Sequence, residues 1–195
     1  MKFKICVSGA AAGETLNRDN AEKAKELGRA IAARDCILIT GATTGLPHYA
    51  AVGCKEAKGI SIGFSPASTY QDHVYRYHLP VNYFDLIVYT GFGYSGRNLI
   101  LTRSADAVVT IGGRMGTLNE FTVAFEDRKP LAVLEETGGM ADEIKELTEI
   151  AHKHQCSIIY DTDPDKLIGG LIADLRQDRH HIREEHRALK VDQPE

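Results

Sequence analysis

Residues 97–120 read RNLILTRSADAVVTIGGRMGTLNE, a stretch that runs from a helix through a strand and a glycine-rich turn into another helix. The predicted strand, Ala107–Ile111, is short and rich in β-branched residues, without alternation of polar and apolar positions. Strands covered on both faces of a parallel sheet have this composition. Helices predicted over 95–104 and 117–127 flank it, so the stretch predicts one unit of an alternating α/β fold.

The same alternation extends along the chain. Further strands are predicted at Phe3–Ser8, Cys36–Thr40, Ile60–Phe64, Asp85–Tyr89, Leu131–Leu134 and Cys156–Tyr160, and further helices over 17–34, 47–58, 141–154 and 164–175. Repeated β-α-β units imply a mostly parallel sheet between two layers of helices. No repeat or linker interrupts the pattern. We therefore expect a three-layer, doubly wound, Rossmann-like α/β domain of about seven strands over 1–175, followed by a charged helix or tail over 176–195.

Length and charge limit the class of protein. The 195 residues are enough for one domain with a sizeable core. The net charge of −4 gives no general attraction to nucleic acid or to an anionic membrane. No apolar run approaches the roughly 20 residues of a membrane span, and the chain enters a strand directly at its start. We expect a cytoplasmic protein that binds neither nucleic acid nor membrane.

The cysteines and histidines do not predict a metal site. The four cysteines contain no C-x-x-C pair, which favours buried free thiols over zinc ligation or disulfides. His152 and His154 lie two residues apart, a spacing that faces opposite sides of a helix. We therefore predict no bound metal.

Glycine-rich turns follow four of the predicted strands. In a parallel sheet the carboxyl ends of the strands share one edge, and ligands bind there. Glycine lets backbone N–H groups approach anionic oxygens at helix N-termini. The four turns predict a site for a phosphorylated ligand; they are SGAAAG (8–13), TGATTG (40–45), GFGYSG (91–96) and GGRMGT (112–117).

The turn at 91–96 has the G-x-G-x-x-G pattern of dinucleotide-binding proteins. That interpretation also requires an acidic residue at the end of the following strand, to bind the ribose. The following strand ends at Ile111, and Asp106 lies at its opposite end. The pattern therefore favours a flexible turn over a site for NAD.

Arg97 and Glu120 are the candidates for chemistry within 97–120. The backbone of Gly113–Thr117 would hold a phosphate at a helix start, Glu120 would point a carboxylate at it from the first turn, and Arg97 would supply a planar cation. A structural alternative exists for both residues. Thr117-x-x-Glu120 matches a capping box, in which Glu120 only bonds the backbone, and Arg97 could be an exposed helix residue.

This stretch resembles the signature of the LOG (Lonely Guy) family and its wider Rossmann-like superfamily, which includes proteins often called lysine decarboxylases. The matching positions are Arg97, Ala105-Asp106-Ala107, Gly113, Gly116, Thr117 and Glu120. Gly112 stands in place of the family's proline and Arg114 in place of its second glycine, variants that resemble the branch containing molybdenum-cofactor carrier proteins. Arg114 could block one backbone approach or bind an anion, and the second interpretation is favoured because arginine in a glycine turn has little packing use.

The resemblance implies hydrolysis of the N-glycosidic bond of a nucleoside 5′-monophosphate, giving free base and ribose 5-phosphate. Glu120 would oppose the positive charge that develops on the ribose, and Arg97 would hold the phosphate or ribose and keep Glu120 ionised. No metal or redox cofactor is required. The implied nucleotide- and phosphate-binding residues are Gly9, Thr44, Gly45, Gly113, Arg114, Met115, Gly116 and Thr117.

Two other functions stay open. The substituted glycine motif favours a protein that carries a nucleotide or molybdenum cofactor without turnover, and an interaction module with a relic pocket is a third interpretation. We also expect a homodimer or larger oligomer. The family resemblance suggests it, and so do the irregular segment Tyr70–Tyr83, which could cover the ligand or contact a subunit, and the seven-residue spacing of Leu175, Ile182 and Leu189.

Overall fold

Seven strands and six α-helices alternate in the computed structural model, which describes residues 1–151 and 156–191, with side chains through His181. The strands are β1 (Lys4–Gly9), β2 (Ile37–Thr40), β3 (Ile60–Ser65), β4 (Leu86–Tyr89), β5 (Ala107–Ile111), β6 (Leu131–Leu134) and β7 (Ile158–Asp161). The helices are α1 (Arg18–Ala33), α2 (Leu46–Glu56), α3 (Gly93–Ser104), α4 (Met115–Glu126), α5 (Met140–Ile150) and α6 (Pro164–Val191). A short π-helical turn, Asp72–Arg76, lies between β3 and β4.

The strands form one sheet in the order β4-β3-β2-β1-β5-β6-β7, and every neighbouring pair is parallel. The predicted doubly wound α/β fold is confirmed. From β1 the chain winds outward through β2, β3 and β4, and then returns to place β5 on the other side of β1. The order therefore reverses between β1 and β5, and in such sheets a crevice opens at the carboxyl ends of those two strands.

Helices cover both faces of the sheet because both faces are apolar. On one face α1, α2 and α6 pack against alternate strand residues such as Val7 and Val109. On the other face α3, α4 and α5 pack against the intervening residues, including Cys6 and Val108. All four side chains are fully buried, as expected of central parallel strands without polar alternation.

Two glycines let α1 and α2 approach each other closely. A Cβ at Gly28 would collide with the carbonyl of Ala50, and a Cβ at Gly53 would collide with the carbonyl of Lys25. Larger residues at 28 or 53 would separate the helices. The close contact fixes α2, and with it the turn between β2 and α2, relative to the end of β1.

The structure differs from the sequence-based expectations at several element ends. Helix α4 begins at Met115, two residues before the predicted start, and α6 continues past residue 175 to Val191. Leu175 is 6% exposed and belongs to the core beneath α6, so it is not available for the predicted seam with a partner. The side chains of Ile182 and Leu189, and all of His152 and His154, lie outside the described residues.

The cysteines agree with the expectation of buried thiols. Cys6, Cys36 and Cys54 are buried, Cys156 is half-buried, and all four are free. Among the described helices, none combines the length and apolar character needed to cross a membrane.

Candidate functional site

A cavity of about 190 Å³ opens at the carboxyl edge of the sheet, between the ends of β1 and β5. This is the crevice that the reversal of strand order creates. Its wall comes from the end of β1 and the turn after it, the turn after β2 with the start of α2, and the first two turns of α3 and α4. The lining includes six residues predicted from the sequence, namely Gly9, Arg97, Arg114, Gly116, Thr117 and Glu120, together with Val7, Ala10, Ala11, Gly41, Thr43, Pro47, Tyr94 and Asn98.

The three helices that begin at the cavity have uncompensated N-termini. Within the described residues, α2, α3 and α4 have neither a capping side chain nor an acidic residue in the first turn. The helices that begin elsewhere carry a negative charge in the first turn: Asp19 in α1, which also has Asn17 as a side-chain cap, Asp142 and Glu143 in α5, and Asp165 in α6. The positive end of each helix dipole attracts anions, and the free amides lie at the start of α4, since at α2 the Leu46 amide donates to the carbonyl of Ala10 and Pro47 has no N–H. The cavity therefore suits a negatively charged ligand.

Glu120 lies on the wall of the cavity and is only 7% exposed. Its Oε1 accepts a hydrogen bond from Nη1 of Arg97 at 3.0 Å, and its Oε2 accepts one from the hydroxyl of Ser8. Because α4 begins at Met115, Glu120 lies in the second turn, and the expected position in the first turn is wrong. The capping-box interpretation is also wrong, since Thr117 is already inside the helix and the carboxylate points to side chains of α3 and β1.

Arg97 is buried at 4% exposure, so the alternative of an exposed helix residue is wrong. Its guanidinium lies directly over Gly41, in the space that any side chain at position 41 would occupy. Its Nη1 donates to Glu120. Its Nε is buried and has no hydrogen-bond partner among the described residues. A buried donor without an acceptor is costly, so Arg97 holds an unsatisfied polar atom next to the cavity.

Asn98, one residue along α3, completes the set of donors around Glu120. We orient its amide so that nitrogen, not oxygen, faces the carboxylate, since two facing oxygens would repel each other. In this orientation Nδ2 donates to Oε1 of Glu120 at 2.8 Å and to the carbonyl of Tyr94 at 2.9 Å. Three side chains thus fix the carboxylate in one position.

Burial is the main influence on the protonation of Glu120. Desolvation raises the pKa of this carboxyl above its ordinary value of 4.5, while the Arg97 charge and the Ser8 hydrogen bond oppose the rise. The neighbouring thiol of Cys6 also has a raised pKa, because it is buried and faces the Glu120 charge. A carboxyl group with a raised pKa exchanges its proton closer to neutral pH, as general acid and base catalysis requires.

The turn after β2 supports the cavity more than it lines it. Gly45 has a φ of 77° and lies against the backbone of Ala10 and Ala11, closer than any side chain permits. The Thr44 hydroxyl donates to the carbonyl of Ala11 at 3.0 Å, and the amide of Leu46 donates to the carbonyl of Ala10 at 2.8 Å. These contacts join the turns after β1 and β2, so Thr44 and Gly45 hold the cavity wall from behind.

The turn after β5 divides its residues between support and lining. Gly113 has a φ of 98° and accepts a hydrogen bond from the amide of Met140 at 3.1 Å, away from the cavity. The Met115 side chain is 72% exposed and is not part of the lining. Gly116 does line the cavity, and a Cβ added there would meet nothing within 4 Å. The part of this turn that faces the cavity with open space beside its backbone is therefore at Gly116 and Thr117.

Arg114 is an exposed cation on the cavity wall. Its Nη1 lies 3.8 Å from the position that a Cβ would take at Gly13, so the side chain reaches across to the turn after β1. It forms no ion pair with a carboxylate among the described residues. Its guanidinium is thus free to bind an anion, which agrees with the favoured interpretation of this substitution.

Sequence reasoning did not identify Ser8, Gly41, Tyr94 or Asn98 as site residues. Ser8 and Gly41 lie in two of the predicted glycine-rich turns, so the sequence indicated their place at the edge of the sheet. It did not indicate which side chains they contact. Tyr94 lies in the turn at 91–96, which was predicted to contribute to the ligand site through its glycines and not through this side chain. No group of three or more histidine, cysteine, aspartate or glutamate side chains described in 1–151 and 156–181 is arranged to hold a metal ion.

Fold and site together define a Rossmann-like α/β protein of the LOG superfamily, with a ligand cavity where the strand order reverses. The chain belongs to the SLOG cluster4 family, whose model matches residues 2–168. The predicted family resemblance is confirmed.

Several solved structures are similar over nearly their whole length. The protein TM1055 is 26% identical, with a TM-score of 0.76, over 89% of this chain and 99% of that one. The molybdenum cofactor carrier protein of Chlamydomonas reinhardtii is 28% identical, with a TM-score of 0.71, over 91% and 99%. The molybdenum cofactor binding protein of Rippkaea orientalis is 28% identical, with a TM-score of 0.69, over 88% and 98%.

Proposed function

We propose that the cavity binds the phosphate of a nucleotide and that the protein hydrolyses the N-glycosidic bond of a nucleoside 5′-monophosphate. The observation that carries the proposal is the buried Arg97–Glu120 pair beside three uncompensated helix N-termini. The family and its structural neighbours support a small ligand of the nucleotide or cofactor class. The phosphate would lie at Gly116 and Thr117, with the guanidinium groups of Arg114 and Arg97 as further partners.

The position of Glu120 supports hydrolysis over simple anion binding. A carboxylate on the wall of an anion-binding cavity repels the ligand and weakens its binding. Its presence there therefore indicates a role other than binding the anion. Breaking an N-glycosidic bond builds positive charge on the ribose, and a fixed carboxylate stabilises that charge. The same carboxyl group can orient water and accept its proton, because its pKa is raised by burial.

The donors around Glu120 have separable tasks in this reaction. Ser8 and Asn98 hold the carboxylate by neutral hydrogen bonds. Arg97 adds a positive charge, which favours the ionised form of Glu120 in the free enzyme. In the complex its guanidinium would contact the phosphate or the ribose. Because the three donors come from β1 and α3, the carboxylate cannot reorient without disturbing the fold.

Base release from a panel of nucleoside 5′-monophosphates tests the proposal. Glu120→Gln should keep ligand binding and lose turnover by roughly 100-fold or more, the loss typical of a principal electrostatic group. The control is Glu126→Gln, a substitution at the exposed end of the same helix. Equal rates for the parent and Glu120→Gln would contradict the role of Glu120, and no release from any nucleotide would contradict the hydrolase.

A second candidate is a carrier that holds a nucleotide or molybdenum cofactor without turnover. The similarity to molybdenum cofactor carrier and binding proteins favours it. Mass spectrometry of the ligand retained through native purification distinguishes the two. A retained pterin cofactor with no base release supports the carrier, whereas base release from an unliganded protein supports the hydrolase.

We also propose that the chain forms a homodimer or larger oligomer. Large apolar side chains near the cavity are exposed, including Phe92 at 69% and Met115 at 72%, and a partner subunit would cover them. Light scattering should give a multiple of the 21.4 kDa chain mass. A value of about 21 kDa over a wide range of concentrations would contradict the oligomer.

A further inference from the structure

Tyr94 is the aromatic residue of the cavity lining. It is the second residue of α3 and is 49% exposed, although its neighbours in the cavity wall, Arg97 and Asn98, are buried. Large aromatic side chains gain free energy when their faces are covered, and a planar ligand next to the phosphate would cover this one.

The surroundings of Tyr94 hold its ring in place. The ring of Tyr77 meets it edge-on, with 5.6 Å between the centroids, and Cζ of Arg97 lies 6.0 Å from its centroid. Its carbonyl accepts a hydrogen bond from the Asn98 amide. Tyr94 is thus a preorganised surface that contacts both the irregular segment 70–83 and the Arg97–Glu120 pair.

The cavity is small for an organic ligand. Pockets for small organic ligands usually enclose about 300–1,000 Å³, whereas this cavity measures about 190 Å³. A cavity of this size encloses only part of a nucleotide, so the rest of such a ligand would extend to the opening. Tyr94 offers an aromatic face at that opening, while the helix N-termini and Arg97 provide for the charged end.

We infer that Tyr94 stacks on the planar heterocycle of the ligand and so makes the site selective for nucleotides over simple sugar phosphates. The inference rests on the proposed function and adds the residue that recognises the base. It also explains why the G-x-G-x-x-G turn is present without an acidic ribose ligand, because Gly91 and Gly93, with φ of 73° and 63°, position Tyr94 at the start of α3.

Calorimetric titration with nucleoside 5′-monophosphates and with ribose 5-phosphate tests the inference. The variants are Tyr94→Leu, Tyr94→Phe and, as a matched control, Phe92→Leu, an exposed aromatic residue two positions away that does not line the cavity. Each is also made in the Glu120→Gln background, so that no ligand is consumed. Tyr94→Leu should weaken nucleotide binding by about 5- to 150-fold, the range for loss of a base–aromatic stack, and leave ribose 5-phosphate binding unchanged. Tyr94→Phe and Phe92→Leu should bind both ligands like the parent.

Three results would overturn the inference. Nucleotide affinity that is unchanged in Tyr94→Leu would exclude stacking. Equal weakening of nucleotide and ribose 5-phosphate would show that Tyr94 acts through Arg97. If the parent bound ribose 5-phosphate as tightly as nucleotides, the site would bind phosphate but would not recognise the base. If the parent bound neither ligand, the proposed function itself would be refuted.

Discussion

Nη1 of Arg97 lies 3.0 Å from Oε1 of Glu120, and both side chains are almost completely withdrawn from solvent. The two residues lie on neighbouring helices, α3 and α4, whose N-termini open into the same cavity. An ion pair in this position costs desolvation energy, so its presence beside a ligand cavity points to a role in the chemistry of the site.

Replacing Arg97 should lower both the stability of the folded protein and its affinity for the ligand. Arg97→Ala leaves Glu120 buried without its charged partner, and loss of one member of a buried pair typically costs about 3–5 kcal/mol. The control is Arg103→Ala in the same helix, where the side chain is 61% exposed and its solvent-screened pair with Asp127 should contribute far less to stability. Urea unfolding measures both variants. Equal losses of stability would contradict the buried pair, and ligand affinity unchanged in Arg97→Ala would contradict its role in binding.

The raised pKa of Glu120 predicts the direction of a pH effect. The folded protein binds more protons than the unfolded chain between the ordinary pKa of 4.5 and the higher folded value. The contribution of Glu120 to the free energy of unfolding therefore falls as the pH rises through that window. Glu120→Gln does not titrate, so the parent should lose stability relative to this variant as the pH is raised from below 4.5.

Glu22→Gln is the control of opposite sign. Its hydrogen bond from Arg29 lowers the pKa of Glu22 below 4.5, so the contribution of Glu22 is present at higher pH and is lost as the pH falls. Urea unfolding of the parent and both variants across a pH series gives the two differences. A difference between parent and Glu120→Gln that does not depend on pH would contradict the burial of an ionisable carboxyl at this position.

Gly116→Ala should weaken ligand binding without lowering the stability of the protein. A Cβ at Gly116 meets no protein atom within 4 Å, and alanine is preferred over glycine in a helix by up to about 1 kcal/mol. Thermal unfolding should therefore show equal or greater stability. Phosphate affinity should fall, because the new methyl group lies where the ligand approaches the first turn of α4. Affinity that stays at the parent value would place the phosphate elsewhere.

The sequence predicted the architecture more completely than the site. Strands such as Ala107–Ile111 and Leu131–Leu134 have the predicted bounds, because apolar β-branched runs between helices permit few other structures. Helix α6 continues from the predicted helix over 164–175 into the charged segment, for which the sequence left a helix or a tail open. Cytoplasmic location and oligomeric state stay predictions from the sequence.

Within the site, motif positions were predictable and side-chain partners were not. Arg97 and Glu120 stood out because their residue types and spacing match a known signature. Ser8 and Asn98 could not be assigned, since their hydrogen bonds to Glu120 depend on strand order and helix rotation, which local sequence does not specify. Gly41 acquires its role only from the guanidinium that lies over it.

Amide chemical shifts during titration with a nucleoside 5′-monophosphate test the central claim most directly. The claim is that a phosphorylated ligand binds at the N-termini of α2, α3 and α4, where no side chain of the described residues supplies a cap or an acidic charge. We expect the largest saturable shifts at the amides of Gly116 and Thr117. Shifts centred on the N-termini of α1, α5 or α6, or no shifts at any nucleotide concentration, would contradict the claim.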